Sequence, residues 1–168
     1  SIVSTGGIRI GQFFFPDWKA GGHGVTNVTK AIAESVNSFF YIIGGGYKEF
    51  EGLGLSKMMG AASKFGLGSK LGIDLPGEKP GFLPSVEWKN EVKDEPWYIG
   101  DTYHVAIGQG DILVTPLQVA AFTATFANGG KLYRPQIVDG YESQGQYHDV
   151  TPVVLNDQVA TPDAIEIV

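Results

Sequence analysis

Ala31-Ile32-Ala33-Glu34-Ser35-Val36-Asn37-Ser38-Phe39-Phe40-Tyr41 is the stretch on which the reading of this chain turns. Ser35 and Asn37 stand two positions apart, at the end of an apolar-periodic segment from Val28 to Glu34 and just ahead of an aromatic run. Upstream, Thr26 or Asn27 can cap a helix. Val28, Ala31, Ile32 and Ser35 then fall at i, i+3, i+4 and i+7 on one helical face. That spacing puts Ser35 on the buried stripe, where its hydroxyl needs a partner. Downstream, a second helical run from Ser38 to Ile43 ends on Gly44-Gly45-Gly46. Short polar side chains between two helical runs either cap helix ends or carry chemistry. Their surroundings decide which.

Working outward, Ser1 to Gly24 reads as irregular, with Phe13-Phe14-Phe15 demanding burial against something larger. A third helical run, Leu53 to Phe65, carries Leu55, Met58, Met59 and Ala62 at helical spacing and stops at Gly66. Gly66 to Pro96 is a long surface excursion punctuated by glycine, proline and charge, with one short helix from Pro84 to Trp88. The Glu and Lys residues of Glu87 to Glu95 read as a solvated face. Thr115-Pro116-Leu117-Gln118 combines an N-cap, a proline at the first helical position and a capping box. The helix it opens stops at Asn128-Gly129-Gly130 and is apolar on nearly every face, so it is predicted to be buried all round. Beyond it, Lys131 to Val138 and Val150 to Leu155 suggest a peripheral hairpin, and Thr161 to Val168 opens a further helix.

Composition narrows the function classes. At 168 residues, with 43% hydrophobic content, the chain is long enough for a substantial core. The net charge of −6 and the scattered Lys and Arg argue against nucleic acid. No apolar run approaches the ~18 residues of a membrane span, so no membrane contact is expected of this segment. With no cysteine there are no disulfides, no thiol catalysis and no Cys-ligated zinc. The 24 glycines, about twice average usage, signal many tight turns.

Five stretches in order resemble one family. They are Trp18-Lys19 with Gly22-His23-Gly24; Ala31 to Tyr41; Gly72-Ile73-Asp74-Leu75-Pro76-Gly77-Glu78; Trp97-Tyr98-Ile99-Gly100-Asp101-Thr102; and Ile107-Gly108-Gln109-Gly110 leading into Thr115-Pro116-Leu117-Gln118. Together they resemble the transpeptidase domain of class B penicillin-binding proteins, of the elongation type. The resemblance implies the helical subdomain of an α+β, β-lactamase-like fold: mainly α, with a small peripheral β-hairpin and no large central sheet. Residues 1–168 would be one partial domain.

The family's chemistry is acyl transfer through a covalent acyl-serine. It uses an S-x-x-K box, an S-x-N box and a K-T-G or K-S-G box. By resemblance, Ser35 would pass a proton between the lysine and the leaving nitrogen. Asn37 would hydrogen-bond the substrate amide carbonyl, and Gln109 would contribute to substrate binding, although its Gly108-Gln109-Gly110 also reads as a turn seating the Thr115 helix. His104 reads as a satisfied structural histidine. No serine here has lysine three positions on, and neither K-T-G nor K-S-G occurs. The chain therefore reads as the middle of such a domain, inert alone. No cofactor is implied. Some members hold a structural zinc near S-x-N; Asp17 and His23 match two ligand positions, but Val36 stands where cysteine is expected and no Asp lies in Ser1 to Phe15, so no metal is expected.

The implied partners are peptidoglycan stem peptides, β-lactams, a cell-elongation glycosyltransferase and scaffold proteins. The implied location is extracytoplasmic, with an anchor helix outside these residues. Two rivals remain: a β-lactamase or D,D-carboxypeptidase of the same superfamily, and a non-catalytic binding module that keeps only the helical part.

Overall fold

The computed structural model describes residues 1–167, so the last residue of the expected C-terminal helix, Val168, lies outside them. The described residues form two compact units, one of residues 1–59 with 84–112 and one of residues 60–83 with 113–167.

The first unit opens with β1 (Ile2–Ser4), β2 (Gly7–Ile10), β3 (Phe13–Pro16) and β4 (Gly24–Thr26). β2 and β3 form an antiparallel hairpin, and β1 pairs with β4, Ile2 opposite Thr26. The first 24 residues therefore contain paired strands and are not irregular throughout. Their glycines had disguised the pattern, yet Gly22 is needed because a Cβ there would run into the Ser4 carbonyl and the Gly6 amide. The phenylalanines divide: Phe15 packs edge-on against Tyr103 at 4.9 Å, whereas Phe13 and Phe14 stay exposed.

α1 (Val28–Ala33) and α2 (Asn37–Gly45) follow, then α3 (Gly54–Lys64), whose residues fall in both units. Asn27 caps α1 through its side chain. Of the face predicted to be buried only Ala31 is; Val28, Ile32 and Ser35 are exposed. α4 (Val86–Lys93), capped by Ser85, begins two residues later than the expected short helix and runs further. α5 (Ile99–Ala106) completes the unit and packs on α2.

The glycine triplet is more than a stop. Gly44 and Gly45 lie inside α2, where a Cβ on Gly44 would come within 2.5 Å of the Ala106 methyl and one on Gly45 would enter the Tyr103 ring. They let the two helices approach. Tyr103 is sealed in the core with Ile8, Tyr41 and Ile42, its hydroxyl donating to the Gly46 carbonyl at 2.7 Å. A ring of that size contributes on the order of 2 kcal/mol through burial.

Lys89 overturns the solvated reading of its segment. Its side chain is 5% exposed, held 2.7 Å from Asp101 and lying over the Tyr98 ring, while Glu87, Glu91 and Glu95 face water. The Asp101 hydrogen bond raises the Lys89 pKa.

The second unit contains α6 (Pro116–Ala127), β5 (Leu132–Tyr133), β6 (Gly140–Ser143), β7 (Gln146–Asp149), β8 (Val154–Asn156) and α7 (Pro162–Ile167). β6 and β7 form a hairpin nested between β5 and β8, which pair with each other. The expected single hairpin is thus two small two-stranded sheets.

α6 has the predicted caps but not the predicted burial. Only Gln118 and Thr125 are fully buried, and Leu117 and Ala121 touch the Leu71–Leu132–Val159 core. An apolar sequence on all faces does not bury a helix that its unit covers on one side. Gln118 closes the capping box and also donates to the Gly66, Ser69 and Pro80 carbonyls. The Gly72 to Glu78 stretch is stapled by two carboxylates. Asp74 accepts from the Ile137 and Val138 amides, and Glu78 from those of Leu71 and Gly72.

Helix makes up 36% of the chain and strand 19%, so the description "mainly α" gives way to a mixed α and β fold. Among the described residues no sheet exceeds two strands.

Candidate active site

Ser35 ends α1 in a particular turn. The Ser35 amide donates to the Ile32 carbonyl and the Val36 amide to the Ala31 carbonyl. Those two bonds define a Schellman motif, whose C′ residue must be left-handed. α3 and α5 end the same way, with Gly66 and Gly108 at that position. In α1 the position is Ser35, at φ 51°. A residue with a Cβ costs about 1 kcal/mol there. The apolar contact that accompanies the motif is present too, Val36 packing with Ala31. The helix predicted to carry Ser35 on its face ends at Ala33, two residues short of it, and Ser35 is exposed at the helix junction.

Asn37 begins α2. The N-cap residue is Val36, which has no side chain able to cap. The cap comes from elsewhere: Asp17 Oδ1 accepts from the Asn37 amide at 3.1 Å and Oδ2 from the Ser38 amide at 3.2 Å. The Ser38 and Ser4 hydroxyls also donate to Oδ2, at 2.6 and 3.1 Å. Burial raises the Asp17 pKa, but these hydrogen bonds outweigh it and hold the carboxyl below its ordinary value. A helix beginning directly after valine was the one sequence signal for such a distant cap.

His23 sits beside this group. Nδ1 lies 2.7 Å from Glu34 Oε2, which depresses the Glu34 pKa, and Nε2 lies 3.6 Å from Asp17 Oδ1. Nε2 is buried with no hydrogen-bond partner, the one feature that would suit a metal. The donor set does not fit. Tetrahedral zinc needs four ligands, the other Asp17 oxygen is taken up by serine hydroxyls, and no group of three His, Cys, Asp or Glu able to hold a metal occurs among the described residues.

Trp18 bridges the two halves. Its backbone amide donates to Asp17, and its indole Nε1 donates to both the Glu34 and Ser35 carbonyls, each at 3.0 Å.

Asn37 and Gln109 line one cleft of about 370 Å³, together with Trp18, Tyr41 and His104. Gln109 reaches it as the residue after Gly108, its amide closing the α5 turn on the His104 carbonyl. Gly108-Gln109-Gly110 thus forms the turn that ends α5. His104, read as a structural histidine, is exposed at the cleft wall, edge-on to Phe15. The structure brings Asn37 and Gln109 to one concavity, whose lining includes Asp17 but not Ser35; Ser35 is exposed two residues before Asn37, and His23 sits beside Asp17. Sequence reasoning missed Ser4, Ser38, Glu34 and Trp18 as members of the group.

Residues 3–168 match the model of the penicillin binding protein transpeptidase domain. The peptidoglycan D,D-transpeptidase MrdA of Salmonella typhimurium is 38% identical over 151 residues, 90% of this chain and 23% of that protein. The PBP2 of Pseudomonas aeruginosa, solved in complex with WCK 5153, is 30% identical and superposes with a TM-score of 0.81 over 99% of this chain and 36% of that one. PBP2 of Helicobacter pylori, solved as a complex with MreC, is 33% identical with a TM-score of 0.79, covering 99% of this chain and 28% of that one. The chain thus spans about a quarter to a third of the proteins it matches. It belongs to the penicillin-binding protein transpeptidase family, in its PBP2 (MrdA) type.

Proposed function

We propose that this chain is the S-x-N-bearing part of a peptidoglycan D,D-transpeptidase that cross-links stem peptides through an acyl-serine and is acylated by β-lactams. The observation that carries the reading is Ser35 at a strained turn position that its helix would fill best with glycine, two residues before an Asn37 that lines a cleft. Strain of this kind persists where a side chain is needed.

In the reaction, the S-x-x-K serine of a longer protein attacks the carbonyl carbon of the penultimate D-alanine, and its proton passes to the lysine. The peptide C–N bond then breaks, and the Ser35 hydroxyl relays the proton to the leaving nitrogen of D-alanine. Asn37 orients the substrate by its amide, and Gln109 adds a contact across the cleft. Their rigid backbone settings favour such positioning. A scaffold partner of the MreC kind, a cell-elongation glycosyltransferase and an extracytoplasmic location belong to the same proposal. No helix among the described residues is long and apolar enough to cross a membrane.

The test is incubation with a labelled penicillin followed by intact-mass analysis. These 168 residues contain neither S-x-x-K nor K-T-G, so no mass should be added to them alone. One adduct per molecule should form on a longer product of the same gene that carries both boxes. A stoichiometric adduct on Ser35 would overturn the assignment of roles. Rapid hydrolysis of the penicillin by the longer protein would favour the β-lactamase reading instead.

A further inference from the structure

The Ser35 turn poses a problem that its own residues do not solve. A residue with a side chain avoids the left-handed region unless the surroundings hold it there. At Gly66 and Gly108 nothing is required, since glycine enters that region freely. At Ser35 the same turn carries a Cβ and a hydroxyl. A feature found around this turn supplies the hold. The Glu34 and Ser35 carbonyls converge on a single donor, the Trp18 indole N–H, at 3.0 Å each. The relative direction of these two carbonyls is set by the backbone torsions of Ser35, so a Ser35 that leaves its left-handed setting turns them apart and loses the shared bond.

Trp18 is well placed to do this. Its backbone amide is tied to Asp17, whose carboxylate also holds the Asn37 and Ser38 amides. Its ring packs edge-on against His23 at 5.2 Å, and His23 is in turn bonded to Glu34. The residue on each side of Val36 is therefore referenced to the Asp17-Trp18 dipeptide: Ser35 through the indole, Asn37 through the carboxylate. Trp18 as a residue is 64% exposed, so core packing does not explain its presence.

We infer that Trp18 is a positioning residue, whose indole N–H holds Ser35 in its left-handed turn and so sets the Ser35 hydroxyl relative to Asn37. This rests on the functional reading above. The role is positional because the group that acts touches two backbone carbonyls and no reacting atom.

The test uses the full-length gene product carrying both missing boxes, unmutated and as Trp18→Phe, which keeps an aromatic ring and deletes the donor. With a reporter penicillin, the acylation rate constant should fall about tenfold, the equivalent of one lost hydrogen bond. The final stoichiometry of one adduct and the melting temperature should stay close to those of the parent. In a crystal structure of the variant, Ser35 φ should leave the left-handed region. A parent that acylates with a variant that acylates at the same rate, or one that keeps Ser35 left-handed, overturns the inference alone. A parent that forms no adduct overturns the functional reading, and the catalytic part of this inference with it. A loss of stoichiometry with an unchanged rate in the competent fraction shows a merely structural role. Should Trp18→Phe fail to fold, hydrogen exchange on the parent decides: the indole N–H should exchange slowly although Trp18 is exposed, and fast exchange overturns the inference.

Discussion

At the scale of single residues, Ser35 and Asp17 set opposite demands. Ser35 sits where glycine is favoured, so Ser35→Gly should stabilise the protein by about 0.5–1 kcal/mol while removing the hydroxyl the proposed reaction needs. Urea denaturation reads the first effect and penicillin acylation of the longer protein the second; a destabilised glycine variant would contradict the Schellman assignment. Asp17 works the other way. It accepts hydrogen bonds from three backbone amides and two serine hydroxyls, tying β1, α2 and the chain after β3 together. Asp17→Ala leaves buried donors without an acceptor and should cost about 3 kcal/mol, visible as a lower urea midpoint at unchanged slope. A loss under 1 kcal/mol would mean that water replaces the carboxylate.

At the scale of elements, the α2–α5 contact is made by absence. Gly44 and Gly45 each cost the helix some propensity, about 1 kcal/mol against alanine. On an isolated helix Gly45→Ala would therefore be stabilising. Here its methyl would enter the Tyr103 ring, so the sign reverses and the substitution should destabilise by about 1–3 kcal/mol. Thermal unfolding of Gly45→Ala checks this, with Gly60→Ala in α3, where a Cβ meets nothing, as the control that should gain stability. α6 shows the converse. Its capping chemistry is local and forms as read, while Gln118, deeply buried, holds three carbonyls from the 66–80 segment of its own unit.

For the whole molecule, the carboxylates set the response to acid. Asp17, Glu34, Asp74 and Glu87 all have pKa values below their ordinary range, Asp17 and Asp74 through hydrogen bonds that favour the charged form. A depressed folded-state pKa means that the folded protein binds fewer protons than the unfolded chain. The stability this confers is complete above the ordinary carboxylate pKa of about 4 and is lost as pH falls through the lowered values. The urea midpoint should hold steady from pH 7 to about 5 and drop steeply below about 4. In Asp17→Asn the drop should be shallower; an equal drop would place the acid response in the other carboxylates.

What the sequence determined by itself is what local chemistry determines. The Asn27 and Thr115 caps and the turn glycines Gly66 and Gly129 are settled within three to six residues, where side chain and backbone meet whatever the rest of the chain does. The five ordered stretches added the family for the same reason, since each is a short pattern. Tertiary structure alone decided the rest. Lys89 is buried because Asp101 and the Tyr98 ring come to it, Asp17 caps a helix twenty residues on, and Ser35 is exposed because its helix ends one residue before its C-cap, Glu34. Spacing along a chain states which residues share a face. Only the folded neighbours determine what that face meets, and burial, pKa and the cleft shared by Asn37 and Gln109 all follow from those neighbours.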